Sequence, residues 1–130
     1  DFLISCVDTR AARATLARIT RLKTRRFDYW IDTGNSSASG QFVMGEPLRS
    51  NRKDRSRRLP CIDELFPQMI RASLDRRDSQ PACSAAAALL RQEPYINQSI
   101  AQLVLAMLAR GTEPVVQWYS GPGSLTRVTM

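Results

Sequence analysis

A strand, a helix and a second strand follow one another within the first 32 residues, and this run most narrows what the chain can become. Phe2 to Val7 (FLISCV) is apolar and β-branched, the pattern of a strand buried on both faces. From Arg10 the period changes. Ala12, Leu16 and Ile19 recur at helical spacing with arginines between them, which predicts an amphipathic helix over residues 10–23. Phe27 to Asp32 (FDYWID) reads as the next strand. Two strands joined through a helix form a βαβ unit, so a parallel α/β sheet is expected.

The rest of the chain adds little to that sheet. TGNSSASG (33–40) reads as a loop, and Gln41 to Glu46 as a further strand. Residues 47–60 are polar and basic, the composition of a mobile loop. PCIDELFPQMI suggests a short helix with Pro60 near its start and Pro67 bending or ending it, followed by a loop over 71–82. Cys83 to Gln92 is strongly helix-forming, and Pro94 suits an early position of a second helix. There Ile96, Ile100, Leu103 and Met107 make one apolar stripe that ends near Gly111. The tail, VVQWYSGPGSLTRVTM, reads as two strands around Ser-Gly-Pro-Gly, a closing hairpin. One βαβ unit and a hairpin make a thin sheet. Residues 1–130 therefore read as the downstream part of a doubly wound domain, its other half lost or supplied by another chain.

Composition excludes several chemistries. The chain has no histidine, which rules out a Ser-His-Asp triad, a Cys-His dyad and an imidazole-ligated metal built from this chain alone. The three cysteines, Cys6, Cys61 and Cys83, form no CxxC pair, so neither a zinc site nor a disulfide framework is expected. The most apolar segment, SIAQLVLAMLA, is too short to span a bilayer, and the opening reads as a strand rather than a leader. A cytoplasmic protein is the resulting expectation. The net charge of +7 is clustered. Arg49, Arg52, Lys53, Arg55, Arg57 and Arg58 stand against the single acid Asp54, and a second basic group runs from Arg10 to Arg26. A solvated loop and a contact for an acidic partner are the two readings of the first cluster. Few aromatics interleave it, as a base-stacking surface would require.

In open α/β sheets ligands bind beyond the carboxyl ends of the strands. Asp8 stands at such an end, and Asp32 closes the following strand. A carboxylate there suits Mg²⁺ held against nucleotide phosphates, because Mg²⁺ prefers hard oxygen ligands. The competing reading makes Asp8 a helix cap, with Thr9 as its rival, and Asp32 a turn residue. Cys6 and Trp30 read as packing residues.

The order of these segments resembles the ThiF/MoeB family of adenylating enzymes related to ubiquitin-activating enzymes. DFLISCVDTRAAR resembles its strand–Asp–helix segment, and YWIDTGNSSASGQFVMG its strand, small-residue turn and Gly-Gln strand, with Gly40-Gln41 at the match. Residues 49–82 would supply the variable crossover. CSAAAALLRQEPYINQSIAQLVLAMLARG resembles the cysteine that leads into the long helix, and the tail resembles the closing hairpin. The wording resembles in particular the ThiF-related proteins of PRTRC systems. The resemblance implies the C-terminal part of a Rossmann-like doubly wound domain, with a mixed sheet and a closing hairpin. It implies an adenylyltransferase that uses ATP and Mg²⁺ to activate the C-terminal glycine of a ubiquitin-like carrier protein, within a homodimer. On this resemblance Asp8 matches the Mg-ATP aspartate, Thr9 and Arg13 line the nucleotide, and Cys83 matches the cysteine that forms an adduct with the carrier. Departures are equally specific. No GxGxxG occurs, Thr9 stands where the family has asparagine, and the paired CxxC motifs are absent. The 130 residues alone are expected to be inactive. A catalytically silent interaction scaffold of the same fold is the alternative, and nucleic-acid binding through the basic loop ranks third.

Overall fold

The computed structural model describes residues 1–35, 39–48, 58–75, 95–110, 115–120 and 125–129. Its elements are β1 (Phe2–Cys6), α1 (Arg10–Ile19), β2 (Tyr29–Asn35), β3 (Ser39–Gly45), the short α2 (Ile62–Leu65), two 3-10 turns (Pro67–Ile70 and Ala72–Leu74), α3 (Ile96–Ala109), β4 (Val115–Ser120) and β5 (Leu125–Thr129). The fold is mixed α/β, with strand order β1-β2-β3-β4-β5. The chain divides into two compact units, one of residues 1–32 and 43–78 and the other of residues 33–42 and 79–130.

In the first unit the Asp1 carbonyl accepts from the N–H groups of Asp28 and Tyr29, at 2.9 and 3.2 Å, where both strands begin. Four residues on, Ser5 Oγ donates to Asp32 Oδ1 at 2.8 Å. Starts meet starts and ends meet ends, so β1 and β2 are parallel, as the βαβ reading requires. The core here is Ala17, Trp30, Ile31, Val43, Met44, Cys61 and Ile62. α1 packs on the two 3-10 turns.

Four expectations for this unit are corrected. β1 is not buried on both faces. Phe2, Ile4 and Cys6 share one face by the period-2 rule and all three are exposed, whereas Ser5 on the other face is buried. The strand stands at the end of the sheet order. Cys6 is thus a surface thiol rather than a packing residue. The helix is also rotated from its apolar stripe. Its buried residues are Arg13 and Ala17, continued by the C-cap Thr20, while Ile19 is 43% exposed. Arg13 finds a carboxylate inside, and that partner turns the helix by one position. α1 ends earlier than the pattern suggests, because Thr20 Oγ1 folds back to donate to the Ala17 carbonyl at 2.9 Å and the chain tightens into a turn.

In the second unit, Gly40 and Gly34 lie equidistant from the middle of the connection between β2 and β3. The Gly34 carbonyl oxygen lies 3.4 Å from where a Gly40 Cβ would sit, the register of an antiparallel hairpin. The loop expected over 33–40 is therefore mostly strand, with Thr33–Asn35 extending β2 and Ser39–Gly40 opening β3. A Cβ at Gly40 would come within 2.6 Å of Ile100 Cδ1, so the glycine is what lets α3 lie this close. α3 buries Ile96, Ile100 and Val104. Leu103 and Met107, expected on the same stripe, are only half-buried. β4 and β5 are antiparallel with Trp118 opposite Thr126, the predicted closing hairpin.

Candidate functional site

The end of β1 is where a ligand of such a sheet is expected, and the structure there is resolved residue by residue. Asp8 is exposed and makes no hydrogen bond or ion pair among the described residues. It is not the cap of α1. Thr9 is, in extended backbone (φ −107°, ψ 148°), its Oγ1 accepting from the Ala12 N–H at 3.2 Å. The two remaining N–H groups of the first turn go to a residue that no sequence pattern singled out. Asp75, after the second 3-10 turn, accepts from Arg10 N on Oδ1 and from Ala11 N on Oδ2, both at 3.0 Å. Arg10 Nη1 adds an ion pair at 3.5 Å. One carboxylate thus satisfies two otherwise orphan donors at the positive end of the helix.

Arg13 is turned away from this edge. It is 3% exposed, and its Nε donates to Asp32 Oδ2 at 2.8 Å while Nη2 donates to the Val7 carbonyl at 3.0 Å. Asp32, expected to form a turn, is instead inside β2 and 1% exposed. Its second oxygen takes the Ser5 hydroxyl, and Ser5 Oγ in turn accepts from the Trp30 indole N–H at 2.8 Å. Burial pushes the Asp32 carboxyl up from its ordinary range, against the Arg13 charge and the hydrogen bonds from Ser5 and Arg13. Trp30 is a core residue, as expected. The structure therefore keeps Asp8 and Thr9 at the surface and places Arg13 in a buried network with Asp32, Ser5 and Trp30.

Of the basic run, Arg58 lies among the described residues, and it is fastened. Nη1 and Nη2 reach Glu64 Oε2 and Oε1 at 2.9 and 2.5 Å, and Nη1 also reaches the Glu46 carbonyl at 2.5 Å. Arg49, Arg52, Lys53, Arg55, Arg57 and Cys83 lie outside the described residues. Cys61 is the N-cap of α2, and its N–H donates to Glu64 Oε2 at 2.8 Å. Burial, reinforced by the nearby Glu64 and Asp63 carboxylates, pushes the Cys61 thiol up to about 12, which leaves it protonated and unreactive at neutral pH. Donor atoms of Cys61, Asp63 and Glu64 lie within 4.8 Å of one another. They do not fit a cation, because Arg21 already pairs with Asp63 and Arg58 with Glu64.

The Asp75 contact has a measurable consequence. Loss of hydration pushes its carboxyl up, but the N–H bonds from Ala11 and Arg10 and the Arg10 charge outweigh this and hold it below the usual carboxylate range. Stability from this contact is therefore complete above the unfolded pKa of about 3.9. It is lost as pH falls through the lower folded value. In thermal unfolding from pH 7 downward, the wild type should stand above Asp75→Asn by a constant margin to about pH 5, and the two should converge in acid. A margin that does not change with pH would mean the carboxylate is not bound.

The chain matches no protein-family model, no curated protein and no solved structure. Among the described residues no helix is long and apolar enough to cross a membrane.

Proposed function

We propose that the chain is the C-terminal part of a ThiF-like adenylyltransferase, activating the C-terminal glycine of a ubiquitin-like carrier protein with ATP. The observation that carries this reading is Asp8, an exposed carboxylate without an ion pair among the described residues, just beyond the end of a parallel β-strand and ahead of its helix. That is the position and the chemistry a Mg²⁺-ATP site of this type needs. Asp8 would hold the metal, which supplies charge neutralisation for the departing pyrophosphate when bound. In the reaction the carrier's terminal carboxylate attacks the α-phosphorus of ATP, the bond to the pyrophosphate oxygen breaks, and an acyl adenylate results. The Cys83 sulfur would then attack the carrier's acyl carbon, forming a thioester as the bond to the adenylate oxygen breaks and AMP leaves. The bare face of β1, with Phe2 44% and Ile4 46% exposed, is apolar surface that a covering layer from a Gly-rich half would bury. A homodimer and a cytoplasmic location belong to the same reading.

The test uses the full-length protein that carries this segment, with its carrier. ATP–pyrophosphate exchange should occur, and Asp8→Ala should reduce it by at least about 100-fold, since a metal clamp supplies several kcal/mol. Thr9 rather than Asp8 caps α1, so this variant should unfold at the wild-type temperature. Undiminished exchange would remove Asp8 from the site.

One observation favours the second reading, a catalytically silent scaffold. The first-turn N–H groups of α1 are taken by Asp75, and Arg13 is engaged inside with Asp32. On that reading the full-length protein binds no nucleotide and Cys83→Ser leaves its function intact.

A further inference from the structure

The turn that follows α1 carries a surface that the adenylation reading does not use. Residues 18–27, RITRLKTRRF, contain five basic side chains and no acid. The structure sorts the five into two groups. Arg21 pairs with Asp63 and donates to the Ala17 carbonyl, while Arg25 reaches the carbonyls of Thr20, Leu48 and Pro47. Those two fasten the unit together. Arg18, Lys23 and Arg26 are exposed and have no ion pair among the described residues. Arg18 donates to the Thr15 hydroxyl, at 3.3 Å. Beside them stand two aliphatic side chains in water, Ile19 at 43% and Leu22 at 54% exposure.

We propose that this end of α1 and its turn form a docking surface for an acidic amphipathic segment of a partner protein. Its carboxylates would face Arg18, Lys23 and Arg26, and its aliphatic side chains would cover Ile19 and Leu22. Cations in the last turn of a helix are favoured by the dipole without any partner. That explains Arg18. It does not explain Lys23 and Arg26, which lie past the last turn, nor an exposed Leu22 among them. Single exposed aliphatics are ordinary. Two of them, three positions apart and interleaved in sequence with exposed cations that pair with no acid among the described residues, make a surface with both an apolar and a charged preference.

Charge complementarity sets the sign of the partner, and the aliphatics set its kind. A nucleic acid would be held by phosphates and stacked bases, and the nearby aromatic, Phe27, is half-buried with the Arg25 guanidinium 6.0 Å from its ring centroid. An interfacial membrane helix needs an apolar face along its length, whereas the outward face of α1 runs Ala11, Thr15, Arg18 and Ile19, with a large apolar side chain at its last position alone. An amphipathic helix presenting carboxylates around one or two leucines meets both requirements. The inference is independent of whether Asp8 holds a metal.

The experiment is fluorescence anisotropy with a labelled synthetic helix that carries glutamates around a leucine stripe. The same peptide with its leucines changed to serine, polyglutamate, a single-stranded oligodeoxynucleotide and phosphatidylserine vesicles are the comparison arms. The amphipathic peptide should bind with an affinity that falls as salt rises. Leucine-to-serine peptide, Leu22→Ser protein and Lys23→Glu/Arg26→Glu protein should each weaken it by about tenfold. All three altered positions are exposed, and the peptide arms need no altered protein. Absence of binding, equal binding of polyglutamate, or tighter binding of the oligonucleotide or vesicles would overturn the proposal.

Discussion

Replacing Asp32 with asparagine should destabilise the protein by about 3–5 kcal/mol, the cost of leaving a buried guanidinium without its counter-charge. Arg13 is 3% and Asp32 1% exposed, so water cannot take over the lost partner. Denaturant unfolding of the wild type and Asp32→Asn measures the difference through a shift in midpoint at constant slope. Arg13→Met tests the other half of the pair. Its orphan carboxyl, already pushed up by burial, can accept a proton. A raised folded pKa means the native state binds the proton more tightly than the unfolded chain. Arg13→Met should therefore recover stability as pH falls through that folded value. The double variant Arg13→Met/Asp32→Leu should regain most of the loss, because two apolar groups need no partner. A loss below about 1 kcal/mol in Asp32→Asn would place the pair at a wet surface instead.

The second large effect is expected at Gly45. A Cβ there would lie 2.5 Å from Cys61 Cα, 2.6 Å from the Pro60 carbonyl oxygen and 2.8 Å from Cys61 N. All three are backbone atoms that no rotamer change can move. Gly45→Ala must therefore push apart the end of β3 and the start of α2, at about 3 kcal/mol, the upper end of ordinary overpacking. Gly40→Ala serves as the control. Its two nearest atoms, Cδ1 and Cγ1 of Ile100, belong to a side chain that can turn about its own bonds as backbone cannot, so its cost should be the smaller of the two. Equal unfolding midpoints for Gly45→Ala and the wild type would show that the Cys61 backbone retreats freely.

What could be read from the sequence follows the range of the interactions involved. β1, α1, β2, β3, α3 and the closing hairpin were all legible because hydrophobic period and turn residues are local signals. The position of Asp8 at the end of a strand was legible for the same reason. The rotation of α1 was not. An arginine reads as a solvent residue in any apolar pattern, and it is the Asp32 carboxylate 19 positions away that makes Arg13 an interior one. Asp32 itself was misjudged because Asp-Thr-Gly-Asn has turn composition, yet Thr33, Gly34 and Asn35 continue the strand. Asp75 left no trace at all, since its partners are 64 and 65 residues upstream. Whether Asp8 serves a metal depends on groups that a strand end alone does not specify.

The clasp between Asp75 and the first turn of α1 has a consequence for how this unit assembles. Thr9 is sequence-adjacent and can secure one amide as soon as the helix nucleates. The other two donors wait until the whole excursion through β2, β3 and α2 has returned. Closing a loop of that length is entropically costly and comes late. α1 is thus born with a loose beginning that tightens only when the last piece of the unit arrives, which makes its first turn a built-in reporter of completed folding.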